Sequence, residues 1–260
     1  MPRYKLLIEY DGTGFRGWQV QRNARSVQGE LLRAARQLFE GEVDVQGAGR
    51  TDAGVHALGQ VAHVDAAKVM EPFRIVFGLN DLLPPDVNVL RAERAHPRFH
   101  ARHHAVGRSY LYLISTRRSA FGYGHSWWLR DRLDLRAMQN AASLFQGFHD
   151  FVSFVDRDLD PAASTTVDID EVQVEREQDL ILFRIAGSHF LWKMVRRIVG
   201  VLVQVGRGHL GEAEVNRLLT TPSTQPAQWT APPCGLYLQQ VRYKDEPWEP
   251  LFLPAFPLAR

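Results

Sequence analysis

The sequence predicts an α+β fold divided into two domains of similar size. Three observations support this prediction: a length of 260 residues, a 45% share of hydrophobic residues, and short strand patterns mixed irregularly with helical ones. The regular alternation of strand and helix that marks a doubly wound parallel sheet is missing. We therefore expect a first α+β domain at residues 1–104, a second at 105–245 and a proline-rich tail at 246–260.

The first domain contains short runs of alternating or apolar residues that predict strands. These runs are Tyr4–Tyr10, Val43–Ala48, Gln60–Val64 and Val87–Ala95. Two helices are expected between them. Ser26 can cap the first, which runs to about Glu40 before Gly41 ends it, and prolines bracket the second at Glu71–Leu83.

The second domain repeats this mixture without a shared sequence period. Its predicted strands are Ser109–Ser115, Val167–Arg176, Leu180–Ala186 and Leu236–Tyr243. Its predicted helices are Asp134–Phe145, Phe190–Val205 and Glu212–Thr220. The polar, turn-rich segment Asp156–Ser164 is expected to be an exposed loop.

Composition excludes several classes of protein. The single cysteine, Cys234, excludes an internal disulfide framework and any metal site built from several cysteines. We expect no amino-terminal leader, because a strand begins at about Arg3 without a charged region and an apolar segment before it. We also expect no membrane span, because charged residues interrupt the longest apolar run, Phe190–Val205. A cytoplasmic protein fits these features best.

Asp52 is the candidate catalytic residue, and it lies in the glycine-rich stretch GAGRTDAGVHALG. Four glycines there allow other groups to approach the backbone closely, and Arg50 is only two residues away. An ionised carboxylate beside an arginine can act as a nucleophile or a base on a sugar. The alternative is a simple turn, since aspartate readily bonds nearby backbone amides.

Basic residues concentrate in Arg91–Arg118, which carries seven arginines and four histidines against one acid. Tyr110 and Tyr112 are interleaved with them, a combination suited to phosphates and to stacking on bases. The alternative is a solvated face of the protein. A second acid-free stretch, Lys193–His209, includes Arg196 within an apolar helix pattern, so this side chain either points inward or reaches back to the surface. Together these stretches predict a nucleic-acid surface.

Two other patterns are weaker. His100, His103 and His104 have no thiolate or acid at ligand spacing, so we expect no metal site there. Gly12 and Gly14 start like a dinucleotide-binding fingerprint, but Gly17 comes one residue too early to complete it.

Seven motifs, in order, closely resemble the TruA family of tRNA pseudouridine synthases. They are YDGTGFRGWQVQ (Tyr10–Gln21), RSVQGEL (Arg25–Leu31), GAGRTDAGVHALGQVAHV (Gly47–Val64), FHARHHAVGRSYLYLI (Phe99–Ile114), FHDFVSF (Phe148–Phe154), FLWKMVRRIVGVLVQVG (Phe190–Gly206) and GLYL (Gly235–Leu238). They span almost the whole chain. The resemblance implies the pseudouridine synthase fold, with two α+β domains whose mainly antiparallel sheets meet at a basic active-site cleft.

The resemblance also implies a role for each candidate residue. Asp52 matches the catalytic aspartate, Arg196 its arginine partner, and Tyr110 the tyrosine packed on the target base. Arg50 matches an arginine that helps to extrude the nucleotide, and Leu236 contributes to the pocket wall. Arg102 and Arg108 are expected to bind the substrate backbone.

The implied reaction isomerises uridine to pseudouridine at positions 38, 39 and 40 in the anticodon stem-loop of tRNA. It needs no cofactor and no metal, and the implied assembly is a homodimer that shares one tRNA. Two alternatives remain open. One is a non-catalytic tRNA-binding protein on the same fold, and the other is a nucleosidase or glycosidase, which would usually need a second carboxylate.

Overall fold

The computed structural model of the chain describes residues 1–155, 164–249 and 252–255. The predicted loop at Asp156–Ser164 lies outside the described residues, apart from Ser164, and so does much of the predicted tail. The chain divides into two compact units. The first contains Met1–Val106 together with Tyr237–Glu249, and the second contains Gly107–Leu236 together with the described residues 252–255.

The first unit is built on a sheet of five strands among the described residues. They are β1 (Arg3–Tyr10), β2 (Val43–Gly47), β3 (His56–Ala66), β4 (Val87–Ala95) and the last strand of the fold, Leu236–Tyr243. β1 lies between β3 and β4 and is antiparallel to both, and β2 is antiparallel to β3. The last strand runs parallel to β3, with Tyr237 opposite His56. Three of the four pairings are therefore antiparallel.

Two helices of the first unit pack on this sheet, α1 (Val27–Phe39) against β2 and α2 (Pro72–Leu82) against β4. Ser26 caps α1 as predicted, because its side chain accepts the backbone N–H of Gly29. Pro72 occupies the start of α2, where a missing N–H costs nothing. Every second residue of β1 is buried, and Tyr4 stacks on Phe39 of α1. The core of this unit therefore lies between the sheet and α1.

The strands of the second unit pair in the order β5–β9–β8–β7, each antiparallel to its neighbour, and β6 pairs in parallel with the end of β5. The strands are β5 (Ala105–Ser115), β6 (Trp127–Trp128), β7 (Gly147–Asp150), β8 (Thr166–Glu177) and β9 (Leu180–Gly187). The helices are α3 (Leu135–Ser143), α4 (Met194–Gly206), α5 (Glu212–Thr220) and α6 (Gln225–Gln228). The last strand, Leu236–Tyr243, is then β10. The α+β prediction is confirmed.

Several predicted boundaries differ from the structure. The helix predicted from Phe190 begins only at Met194, because Lys193 adopts a left-handed conformation (φ 61°) that a helix cannot contain. β7 was not predicted, since four residues are too few to show a period. The sequence assigned Leu236–Tyr243 to the second domain, whereas from Tyr237 onward this strand lies in the first unit. Its hydrogen bonding to β3 is a long-range pairing that no local pattern reveals.

In the described part of the chain, none of the helices has the length and apolarity that a bilayer crossing requires.

Candidate active site

Asp52 lies in the loop between β2 and β3, where it is half-buried beside the buried Thr51. Backbone hydrogen bonds hold this loop in place. The backbone N–H of Trp18 donates to the carbonyl of Thr51 at 3.1 Å, and the backbone N–H of Val55 donates to the carbonyl of Asp52 at 3.1 Å. A 2.7 Å hydrogen bond joins the side-chain oxygens of Thr51 and Tyr10. The carboxylate is therefore carried by a fixed turn.

Two glycines of the loop after β1 allow the Asp52 loop to approach. A Cβ on Gly12 would lie 2.0 Å from the carbonyl oxygen of Val55, and one on Gly17 would lie 2.5 Å from that of Thr51. Gly17 also has φ +95°, which residues with a side chain rarely adopt. These glycines, which the sequence offered as an incomplete dinucleotide fingerprint, are thus needed for backbone packing against the Asp52 loop.

His56 is a further residue of this region to which the sequence reasoning gave no role. It is buried at the start of β3, accepts the backbone N–H of Gly12 at its Nδ1 (3.0 Å) and stacks on Tyr237 at 4.6 Å. The sequence feature that could have indicated a role for His56 is its position directly after the loop that carries Asp52. His56 links that loop to the Gly12 turn and to β10.

Arg50 is exposed two residues before Asp52. The first half of the loop is fixed by Gln60, whose Nε2 donates to the carbonyl of Gly49 at 2.9 Å, and by the N–H of Ala48, which donates to Val61 at 2.7 Å. Arg50 therefore projects from a rigid backbone.

Arg102 is exposed in the turn that follows β4, and histidines organise this turn. His100 accepts the backbone N–H of Arg102 at its Nδ1 (3.2 Å), and the buried His63 accepts that of Ala101 (3.2 Å). Burial lowers the pKa of His63 to about 4, with Arg3 and His100 contributing in the same direction. Each ring accepts a hydrogen bond at an unprotonated Nδ1, so the turn is built around neutral imidazoles.

Tyr110 and Arg108 belong to the second unit, where they lie two residues apart on β5 and so share one face of the strand. Tyr110 is half-buried and packs edge-to-face on Phe190, with ring centroids 5.1 Å apart. Arg108 places its Nη1 3.4 Å from the carbonyl oxygen of Ser188. The segment before α4 therefore positions both predicted residues.

Arg196 lies in the first turn of α4, half-buried rather than enclosed. Its Nε donates to the carbonyl of Ala231 at 2.7 Å, and the N–H of Ala231 donates to the carbonyl of Arg196 at 3.0 Å. Tyr112 donates its hydroxyl to Pro232 at 2.8 Å. The segment before β10 is thus fastened to α4 and β5, and it ends at the buried Leu236.

Close backbone packing continues along α4. A Cβ on Gly200 would lie only 1.7 Å from the carbonyl oxygen of Trp229, so this helix position requires glycine. Burial raises the pKa of Tyr112 well above its usual value and also raises that of the Cys234 thiol, while the nearby Arg196 opposes both shifts. Both groups therefore remain protonated at neutral pH, and Cys234 is not an activated nucleophile.

Three possible metal ligands of the first unit, Asp44, His63 and Asp65, offer atoms within 4.8 Å of one another. Asp65 already bonds Arg3 through both carboxylate oxygens, with Arg3 Nε to Oδ1 at 2.7 Å. His63 accepts the N–H of Ala101 through Nδ1. A guanidinium thus supplies the positive charge beside these carboxylates.

The predicted site residues are divided between the two units. Asp52, Arg50 and Arg102 lie in the first, and Tyr110, Arg108, Arg196 and Leu236 lie in the second. A profile described as tRNA pseudouridine synthase matches residues 6–103 and 141–244, which include Asp52 and Arg196. The chain belongs to the tRNA pseudouridine synthase family. Members of this family are isomerases with a mixed α+β fold. Two predicted site residues, Arg108 and Tyr110, lie between the two matched ranges.

Curated relatives of this pseudouridine synthase cover it almost entirely. The chain is 42% identical to "tRNA pseudouridine synthase A" of Acetivibrio thermocellus over 246 residues, which are 94% of this chain and 100% of the relative. It is 43% identical to the protein of that name from Rhodopseudomonas palustris, and 44% identical to that from Afipia carboxidovorans, each over 94% of this chain and 100% of the relative.

A solved structure, "Crystal Structure of a Cbf5-Nop10-Gar1 Complex", contains a chain that is similar at a TM-score of 0.36. The sequence identity is 12%, over 77% of this chain and 45% of that one.

Proposed function

We propose that this pseudouridine synthase isomerises uridine to pseudouridine in the anticodon stem-loop of tRNA, at positions 38, 39 and 40. The observation that carries the proposal is the half-buried Asp52 on a loop that Gly12 and Gly17 hold at backbone contact. Support also comes from relatives that are at least 42% identical over 94% of the chain and carry the name tRNA pseudouridine synthase A.

The proposed reaction breaks the bond between C1′ and N1 of uridine, turns the uracil in place and joins C1′ to C5. The C5 proton is then lost and N1 gains a proton, so nothing is oxidised and no group donor is consumed. Asp52 begins the reaction either by attacking C1′ as a nucleophile or by removing a proton from C2′ to give a glycal. No cofactor or metal has a role in either route.

The other candidate residues have separate roles in this proposal. Arg196 pairs with Asp52 and orients it, and Tyr110 packs on the uracil and assists proton transfer at C5. Arg50 helps to extrude the nucleotide from the stem, a step required before chemistry on a stacked base. Leu236 forms part of the pocket wall.

Recognition of tRNAs with differing sequences requires contacts to the phosphate backbone, because the backbone does not depend on sequence. Arg102 and Arg108 supply such contacts in this proposal. We propose a homodimer that binds tRNA in the cytoplasm. Sedimentation of the protein alone and with one equivalent of tRNA tests the assembly, and a monomer in both conditions contradicts it.

The test is tritium release from a tRNA transcript labelled at uridine C5, with no added cofactor. Wild type and Asp52→Asn are compared with Asp81→Asn, which removes an exposed carboxylate of the same unit. We expect release by wild type and Asp81→Asn, none by Asp52→Asn, and no free uracil. Free uracil would indicate a nucleosidase, and release by Asp52→Asn would refute the assigned role. Binding of tRNA without release by wild type would indicate a binding protein.

A further inference from the structure

The loop between β5 and β6 carries Phe121 and Tyr123, whose side chains are 94% and 87% exposed. They are the most exposed large hydrophobic side chains among the described residues. A third aromatic residue, Trp128 of β6, is 37% exposed. Exposed apolar surface of this kind usually marks a binding site.

Hydrogen bonds connect residues within this loop. The side-chain oxygen of Ser119 accepts the N–H of Gly122 at 3.0 Å, and the carbonyl of Gly122 accepts the hydroxyl of Ser126 at 3.2 Å and the N–H of His125 at 3.1 Å. Gly124 adopts φ +84°, which closes the turn. The hydrogen bonds around the buried Gly122 thus present Phe121 and Tyr123 to solvent.

The charge around these aromatic rings is positive. Residues 116–130 contain three arginines and no acid. The guanidinium carbons of Arg118 and Arg130 lie 5.9 and 5.1 Å from the centroid of the Trp128 ring, and both arginines are exposed. A guanidinium stacked on a ring keeps its N–H edges available for phosphate oxygens. Arg117 differs, because its Nε donates to Asp179 at 2.7 Å.

We propose that this surface, Phe121, Tyr123 and Trp128 with Arg118 and Arg130, binds an unpaired segment of the tRNA substrate. Bases stack on Phe121 and Tyr123, and the two arginines hold the adjoining phosphates. The inference rests on the proposed function and adds a contact region separate from Arg102 and Arg108.

RNA fits this surface better than a second protein. The exposed large hydrophobic side chains of residues 116–130 are all aromatic, and the aliphatic Leu129 is buried. Aromatic rings stack on any base, whatever the sequence of the RNA. The acid-free charge complements a polyanion.

The experiment measures the affinity of tRNA transcript for Phe121→Ala/Tyr123→Ala at constant salt, in otherwise wild-type protein. The matched control is Phe73→Ala/Phe77→Ala, which removes two exposed phenylalanines of α2, a helix with Glu71 at its N-cap and Asp81 in its last turn. We expect tRNA affinity to fall about tenfold or more in the loop variant, from lost stacking, and to stay unchanged in the control. Replacement by tryptophan at both loop positions should restore binding.

Several outcomes overturn the proposal. Unchanged affinity in the loop variant would exclude base stacking, and equal losses in both variants would exclude a specific contact. A change of oligomeric state on sedimentation, with unchanged tRNA affinity, would identify an interface between two copies of the chain. Because binding is measured without turnover, tRNA binding by an inactive wild type refutes the proposed function alone, and failure of wild type to bind tRNA refutes both.

Discussion

Gly17 packs directly on the backbone of Thr51, so that a single added methyl group at Gly17 would lie 2.5 Å from the Thr51 carbonyl oxygen. Thr51 precedes Asp52, and this contact therefore fixes the position of the loop that carries the carboxylate. Gly17→Ala should displace the loop, with a cost of about 1–3 kcal/mol for the strained backbone. A shift near 1 Å should lower the pseudouridylation rate on the order of 100-fold.

Gly49→Ala is the matched control, because a Cβ at Gly49 meets no atom within 4 Å. Single-turnover tritium release, together with thermal unfolding, checks both variants. Equal rates in Gly17→Ala and Gly49→Ala would show that the Gly17 contact does not position Asp52.

Arg196→Ala should lower the turnover rate on the order of 100-fold or more, because it removes the proposed partner of Asp52. Much of the tRNA affinity should remain. The variant also loses the 2.7 Å hydrogen bond to Ala231, a separate loss of about 1 kcal/mol in stability. Thermal unfolding and tRNA binding are therefore measured beside turnover.

The control for Arg196→Ala is Arg207→Ala, which removes an arginine at the other end of α4 and its bond to Asp131. Turnover should survive in this variant. Normal turnover in Arg196→Ala would contradict the pairing with Asp52.

Replacement of Arg102 and Arg108 by alanine should weaken tRNA binding and flatten its salt dependence. Each phosphate contact contributes roughly 0.7–0.9 to the slope of log K against log salt, so the double variant should lose about 1.4–1.8. The control is Arg33→Ala/Arg217→Ala, one exposed arginine from each unit. An unchanged slope in the first variant would place the RNA path elsewhere.

His63 should make stability depend on pH. Its pKa lies at about 4 in the folded protein because of burial, against about 6.5 when the chain is unfolded. Between these values the unfolded chain binds more protons, so the free energy of unfolding falls as pH is lowered from 6.5 towards 4. The expected loss is about 3 kcal/mol over this range.

Urea unfolding at several pH values tests this expectation. His63→Asn keeps an acceptor for the N–H of Ala101 but does not titrate, so its stability should fall less on acidification than that of wild type. His209→Asn, an exposed control in the second unit, should follow wild type. Identical curves for wild type and His63→Asn would contradict the assignment.

Local sequence signals predicted most elements because their physical causes are local. Ser26 and Asp134 each cap a helix by accepting a backbone N–H, and alternation along Tyr4–Tyr10 matches a strand with one buried face. The parallel pairing of β10 with β3 depends on residues about 180 positions apart, and no short window contains it.

In the candidate site, too, local features could be predicted from the sequence and long-range contacts could not. A glycine-rich stretch around Asp52 and an arginine in an apolar helix are visible in the sequence, and both suggested chemistry. The need for glycine at positions 12 and 17 was not visible in the sequence, because the backbone that they contact, at residues 51–55, is distant along the chain. The role of His56 became clear only when Gly12 and Tyr237 were placed around it.

The placement of Tyr237–Glu249 in the first unit has a consequence for synthesis of the chain. A ribosome releases chain from the amino terminus, so Met1–Val106 emerges before β10, which pairs with the start of β3. Residues Gly107–Leu236 of the second unit are all synthesised before Tyr237–Glu249 appears. The unit that holds Asp52 therefore completes its sheet last, and an interrupted nascent chain leaves His56 and Ala57 at the start of β3 without their β10 partners and open to pairing with other chains.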